Sequence, residues 1–183
     1  MALRPNVMYG EGDPYYVTNG LLDANKNDGV LARVGDGSAK FQQAYVGNMA
    51  WAHVVAMEAM AQNPDVGGHV FFVTDDTPVM NSFEFMEPFL NGRGMILSDF
   101  CIPYKPLYFL LTAAEKVLWL MSPFAKVNLP IQACSVLYVS KSIYFNRKKA
   151  ELYLKYKPLY PPEDALELSM RYYKNIALTQ EMP

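Results

Sequence analysis

Two adjacent carboxylates, Asp75 and Asp76, close the apolar run His69-Val70-Phe71-Phe72-Val73-Thr74 and are followed by Thr77-Pro78. An acid and a base at one strand end can move a proton between two carbons of a substrate. The same residues also serve as plain turn formers. Gly10-x-Gly12 and Gly35-x-Gly37 are glycine pairs without the third glycine that a dinucleotide loop needs, so both read as turns. Cys101 and Cys134 lie in apolar surroundings, lack a second ligand pair for zinc, and read as reduced core thiols. His53 falls inside a helical segment with no second ligand, so no metal site is expected.

The elements that must position these groups follow from periodicity and punctuation. Leu3-Arg4-Pro5 and Val7-Met8-Tyr9 read as a short buried strand breaking into a glycine-rich loop. A strand with no alternating polar face belongs inside a sheet covered on both sides. Residues 15–27 hold a helix or a loop; 30–37 and 41–46 read as short strands. Asn48 is a good N-cap for a helix over 49–61, with Ala50, Val54, Met57 and Ala61 on one face, ending before Asn63-Pro64. Strand 69–74 follows, and Ser82 is expected to cap a helix running to about Asn91, with Gly92 or Gly94 as terminator. Strand, helix, strand in this order predicts a crossover and parallel pairing. Residues 136–145 read as a strand or extended stretch, 146–150 open a basic helix, 157–162 form a stiff extended linker, and 163–178 make an amphipathic helix with an acidic first turn.

The chain is long enough for one domain with a core, half of it is apolar, and its net charge is −2, which excludes a dense basic face for nucleic acid. Thirteen tyrosines, ten phenylalanines and eleven methionines fit an apolar ligand pocket, a membrane contact or an aromatic core equally well. The absence of an Asn-x-Ser/Thr sequon and of a signal-peptide pattern favours a reducing compartment. Within 102–124, the apolar run 107–121 is too short to span a bilayer core, and Glu115-Lys116 interrupts it. It reads either as a buried core helix or as a helix lying in a membrane interface, with Tyr104, Tyr108 and Trp119 as anchors.

Four segments taken in order carry a family likeness. They are Leu3-Arg4-Pro5-x-x-Met8-Tyr9-Gly10-Glu11-Gly12-Asp13-Pro14, Tyr45-Val46-Gly47-Asn48-Met49-Ala50-Trp51-Ala52-His53, Asp75-Asp76-Thr77-Pro78, and Tyr156-Lys157-Pro158-Leu159-Tyr160. Together they resemble the 3β-hydroxysteroid dehydrogenase/Δ5-Δ4 isomerase family of extended short-chain dehydrogenases, over essentially the whole chain. The resemblance implies an α/β fold: the C-terminal part of an extended short-chain dehydrogenase. About 1–80 would supply part of a Rossmann-type parallel sheet, and about 81–183 a mostly helical substrate and membrane region.

It further implies NAD as cofactor, with NADP open, and oxidation of a 3β-hydroxysteroid, with isomerisation as a further step. A decarboxylating sterol-4-carboxylate 3-dehydrogenase is the alternative within the superfamily. A shortened, non-catalytic product that binds an apolar ligand, a membrane or a partner chain is the alternative outside it. By the resemblance, Leu3, Pro5 and Val7 would wall the nicotinamide, Arg4 would face the steroid or sterol substrate, and Asp75 and Asp76 would serve isomerisation. Phe71 and Phe72 stand where a phenol would assist that step. The family's Tyr-x-x-x-Lys dyad precedes the Arg-Pro strand, so the matches Tyr144/Lys148 and Tyr153/Lys157 read as chance, and this polypeptide alone is expected to be inactive. The resemblance also implies association with an endoplasmic reticulum or mitochondrial membrane, and leaves an oligomer open.

Overall fold

The computed structural model describes residues 1–122, 129 and 131–178. Its strands are β1 (Ala2–Pro5), β2 (Val7–Tyr9), β3 (Val30–Val34), β4 (Gln43–Tyr45), β5 (Val70–Val73) and β6 (Ile96–Ile102). They form three parallel two-stranded ladders, β1 with β5, β2 with β4, and β3 with β6. All three ladders are parallel, as a crossover order requires. Strands successive in that order, such as β4 and β5, are nevertheless not partners; each returns to a strand earlier in the chain. β6 was not anticipated from sequence, because Ser98 and Asp99 interrupt its apolar pattern.

Among the described residues seven α-helices accompany these ladders: α1 (Val17–Lys26), α2 (Val46–Gln62), α3 (Ser82–Asn91), α4 (Tyr104–Met121), α5 (Ala133–Val139), α6 (Lys148–Leu154) and α7 (Pro162–Asn175). Asp13 starts α1: its carboxylate accepts from the backbone N–H groups of Tyr15, Tyr16, Val17 and Thr18, which have no partner inside the helix. Asn81, not Ser82, caps α3, its Oδ1 accepting from Phe83 N at 2.9 Å. Residues 136–145, expected as a strand or extended stretch, are helical over 136–139 and non-helical over 142–145. Ala133 and Val136 are three apart and both buried, which favours the short helix α5, and only Ile143 makes a bridge, to Phe41.

Burial corrects two further expectations. Leu3 and Val7 are only partly buried, while Arg4 and Pro5 are exposed, because β1 is paired on one edge alone among the described residues. On α2, the predicted inward face is the outward one: Met49, Ala52, Val55 and Ala56 are buried, whereas Ala50, Val54, Met57 and Ala61 are exposed. The helix begins three residues earlier than the expected start at 49, and its rotation is fixed by Asn48 pointing inward. One core gathers Tyr9, Leu21, Phe85, Phe89 and Tyr173 between α1, α3 and α7; a second gathers Ala44, Met49, Phe71, Val73, Leu154 and Tyr156 beneath α2 and α6. Each fully buried aromatic in them contributes roughly 2–3 kcal/mol of transfer free energy.

Neither cysteine is a core thiol: Cys101 is partly exposed and Cys134 exposed, since the strand end and the short helix that carry them face outward. The buried-helix reading of 102–124 also fails. No residue of α4 is buried, and Phe109, Leu110, Trp119 and Leu120 each lie more than two-thirds exposed. Residues 123 and 124 lie outside the described residues. No described helix is long and apolar enough to cross a membrane.

Candidate functional site

The motif residues converge on one buried junction. Asp75, at the carboxyl end of β5, is 3% exposed, and both its oxygens are engaged. Tyr45 N donates to Oδ2 at 2.7 Å, Asn48 Nδ2 donates to the same oxygen at 3.0 Å, and Thr77 N donates to Oδ1 at 3.0 Å. The carboxylate therefore sits at the N-terminus of α2, where the helix dipole favours negative charge. Asn48 does not cap that helix. Its Oδ1 accepts from Leu159 N at 2.9 Å and Tyr160 N at 2.8 Å, and its Nδ2 also donates to Tyr160 O at 3.0 Å. Trp51 Nε1 donates to Lys157 O. The extended segment 157–160 is thus held by its backbone, which a proline-stiffened stretch offers at little entropic cost.

Asp76 faces elsewhere. Its Oδ1 pairs with Arg147 Nη2 at 2.7 Å, its side chain is 57% exposed, and Arg147 is shared with Glu151. The two adjacent aspartates are therefore not brought together. Burial lowers the guanidinium's affinity for its proton, but the hydrogen bonds it donates to Glu151 and Asp76 outweigh it, so Arg147 ends above its ordinary pKa. Phe72 stacks on Phe145 with ring centroids 4.5 Å apart, and Phe71 is fully buried.

A cleft of about 270 Å³ lies next to this junction. It is formed where the loop after β2 passes Val46 at the carboxyl ends of the parallel strands β2 and β4, and Val7, Met8, Tyr9, Glu11, Tyr15 and Tyr16 line it. Open α/β sheets bind ligands at this end. Gly10 turns the chain there with φ of +117°, and a Cβ would lie 2.8 Å from the Tyr45 ring, so glycine is required. Tyr173 crosses from α7 to fix the loop, its hydroxyl accepting from Gly10 N at 2.8 Å and donating to Asp13 Oδ2 at 2.9 Å. Tyr45 OH donates to Glu11 Oε2 at 2.9 Å.

Four phenols here are shifted. Burial pushes Tyr9 up to about 12, with the Thr77 hydroxyl opposing and Asp75 adding to the rise. Tyr16 is also pushed up to about 12 by burial, against hydrogen bonds from Ser82 and Gln43. Tyr45 and Tyr173 are raised too, by burial first and then by Glu11 and Asp13 respectively. These are neutral, packed phenols, fit to wall a cleft and to donate hydrogen bonds.

Of the nicotinamide-wall residues expected from sequence, Val7 lines this cleft, whereas Leu3 lines a separate open groove with Met1, His53, Ala56, Met57 and Met60. Pro5 and Arg4 are exposed, and Arg4 makes no ion pair among the described residues. Neither Tyr-x-x-x-Lys pair shares a helix: Tyr144 precedes α6 and Lys157 follows it. His53 Nδ1 lies 2.7 Å from Met49 O, a contact within its own helix. No described cluster of His, Cys, Asp and Glu could hold a metal ion. Sequence reasoning quoted Glu11 and Tyr45 only inside motif segments, without a role, and did not single out Tyr173 or Arg147. Asp13 alone had a readable signal, an acidic residue just ahead of a helix start.

A dinucleotide does not fit the residues present. The sequence contains no Gly-x-x-Gly-x-x-Gly loop to cradle a pyrophosphate, and only Val7 of the expected wall faces the cleft. No hydride-transfer step is assigned to these residues.

Comparison with known proteins agrees with the geometry. The model of the 3-beta hydroxysteroid dehydrogenase/isomerase family matches residues 1–104. The sterol-4-alpha-carboxylate 3-dehydrogenase, decarboxylating, of Mus musculus is 25% identical over 175 residues, covering 96% of this chain and 48% of that protein. The chain thus spans about half the length of this relative. Among solved structures, UDP-glucuronic acid 4-epimerase from Bacillus cereus, in complex with UDP-glucuronic acid and NAD, superposes with TM-score 0.57 at 18% identity, over 94% of this chain and 44% of that one. A UDP-galactose 4-epimerase gives TM-score 0.59 at 10% identity, over 93% and 44%. At such identities the likeness is one of fold: part of an extended short-chain dehydrogenase.

Proposed function

The chain belongs to the 3-beta hydroxysteroid dehydrogenase/isomerase family, and from that premise we propose that it is the substrate-side portion of an NAD-dependent oxidoreductase acting on a sterol hydroxyl. The observation that carries this reading is the cleft at the carboxyl ends of β2 and β4, walled by Val7, Met8, Tyr9, Tyr15 and Tyr16. Apolar and aromatic walls with few polar groups suit one end of a rigid hydrocarbon ring system. In this reading Asp75 and Asn48 hold α2, β5 and segment 157–160 in register, so that the loop from Gly10 to Tyr16 keeps its shape. Of the two aspartates, Asp76 alone has the solvent access that exchanging a proton with a steroid ring would need.

In this reading the present residues supply walls and orientation for the sterol. A second reading, oxidation of a 4-carboxysterol, is favoured by the likeness to the mouse decarboxylating enzyme. In either case α4 lies in the plane of a membrane. Phe109, Leu110, Val117, Trp119 and Leu120 are its exposed apolar surface, and Lys105 and Lys116 suit the headgroup level. Equilibrium binding of dehydroepiandrosterone to the purified chain tests the steroid assignment. Saturable binding that is lost in Tyr16→Ala supports it; no saturable binding refutes it.

A further inference from the structure

The cleft has an unbalanced charge that the steroid reading does not use. Glu11 and Asp13 are its charged lining residues, and neither lysine, arginine nor histidine lines it. Asp13 is fully committed: its two oxygens accept from four backbone N–H groups and from the Tyr173 hydroxyl. Glu11 is only half committed. Tyr45 OH holds Oε2 at 2.9 Å, while Oε1 accepts no hydrogen bond among the described residues. Tyr45 is itself 4% exposed and packs against Tyr9 and Tyr160, so it offers the exposed Glu11 carboxylate a donor fixed in position. Arg171, the cation lining a neighbouring cavity that Glu11 also borders, pairs with Glu167 at 3.0 Å.

We infer that Glu11 is a specificity-determining residue that accepts a hydrogen bond from a neutral hydroxyl of the ligand and rejects ligands bearing an anion at that end. The inference rests on the steroid reading of the cleft and sharpens it: an uncharged hydroxylated ring enters, whereas a carboxylated or phosphorylated one meets an unneutralised carboxylate. Two like charges meeting at this exposed edge of the cleft repel, and at low salt, where screening is weakest, the repulsion separates ligands of the same shape. A ligand hydroxyl would complete the free oxygen of Glu11, and a ligand without a donor would leave it to water.

The test uses the purified 183-residue chain kept dispersed in a non-ionic detergent. Three probes share one ring system: dehydroepiandrosterone, its 3-acetate (bulk, no donor, no charge) and its 3-sulfate (bulk and charge). Wild type is expected to bind the free hydroxyl tightest, the acetate a few-fold more weakly, and the sulfate at least tenfold more weakly than the acetate at low salt. Glu11→Gln should bind acetate and sulfate within twofold of each other. Tyr45→Phe, which keeps the ring and frees Glu11, should narrow the wild-type gap. The exposure of Glu11 makes Glu11→Gln a surface change, and an unaltered circular dichroism melt confirms that it folds. Sulfate binding as tight as acetate in wild type, or an unchanged ratio in Glu11→Gln, overturns the inference while leaving a steroid site. Failure of all three probes to bind overturns it together with the steroid reading.

Discussion

Replacing Asn48 with alanine should unfasten the junction on which four motif segments meet. The side chain is 1% exposed and makes four hydrogen bonds: to Asp75, to Tyr160 O, and from the N–H groups of Leu159 and Tyr160. At about 1 kcal/mol or slightly less for each of the four bonds, the loss is roughly 3–4 kcal/mol. Partial water access at segment 157–160 keeps the loss near that value. For a chain of this length each kcal/mol lowers the melting temperature by about 2–4 °C, so Asn48→Ala should melt roughly 6–15 °C lower. Urea titration monitored by far-UV circular dichroism reads the same loss as a lower midpoint at unchanged slope.

Asn48→Asp sharpens the test, since it sets a second carboxylate against Asp75. The folded variant then holds a proton that the unfolded chain releases at lower pH, so its stability should rise as pH falls from 7 towards 5. An Asn48→Ala midpoint equal to wild type, or a flat pH profile for Asn48→Asp, would refute the claim that this junction is built on Asn48 and Asp75.

Three further outcomes are expected. Tyr173→Phe, which leaves Gly10 N without its acceptor and removes one of the donors to Asp13 Oδ2, should cost about 1–3 kcal/mol in urea unfolding; a loss under about 0.5 kcal/mol contradicts the role given to Tyr173. In absorbance titration at 295 nm, Tyr9 and Tyr16 should remain neutral past pH 11 while exposed tyrosines ionise, because burial pushes both up to about 12. Their folded pKa values exceed the unfolded value near 10, so the stability they contribute is complete below pH 10 and disappears as pH rises through about 12. Full ionisation of every tyrosine by pH 11 with the fold intact would be the contrary result. Finally, adding phosphatidylcholine vesicles should shift Trp119 emission to the blue and carry the chain into the pellet, and Leu110→Glu with Leu120→Glu should abolish both; sedimentation unaffected by that double change would remove α4 from the membrane.

Much of the fold could be read in advance because punctuation is local. Asn63-Pro64 ends α2, Asn27-Asp28-Gly29 ends α1, and the β-branched and aromatic run 70–73 can only be a strand. What could not be read depended on long-range partners. Asn48 looks like a cap by composition, yet its contacts are 111 and 112 residues away. The inward face of α2 was misjudged because alanine and methionine occur all round that helix, so composition gave no direction and the polar Asn48 marked the buried side. Residues 136–139 are β-formers that became helix because a single bridge at Ile143 offers too few ladder bonds to keep them extended. The site followed the same rule. Motif residues Glu11, Asp13, Asp75 and Asn48 were visible as a pattern, but Tyr45, Tyr173 and Arg147, which fix their geometry, come from separate elements.

These 183 residues are expected to bind the sterol end of the reaction and not to carry hydride transfer. One mixture tests both parts: purified chain, tritiated dehydroepiandrosterone and NAD, followed for retained label and for absorbance at 340 nm. Retained, saturable steroid with no NADH is the predicted result. NADH formation above the protein-free rate, or no steroid retained at all, would contradict it.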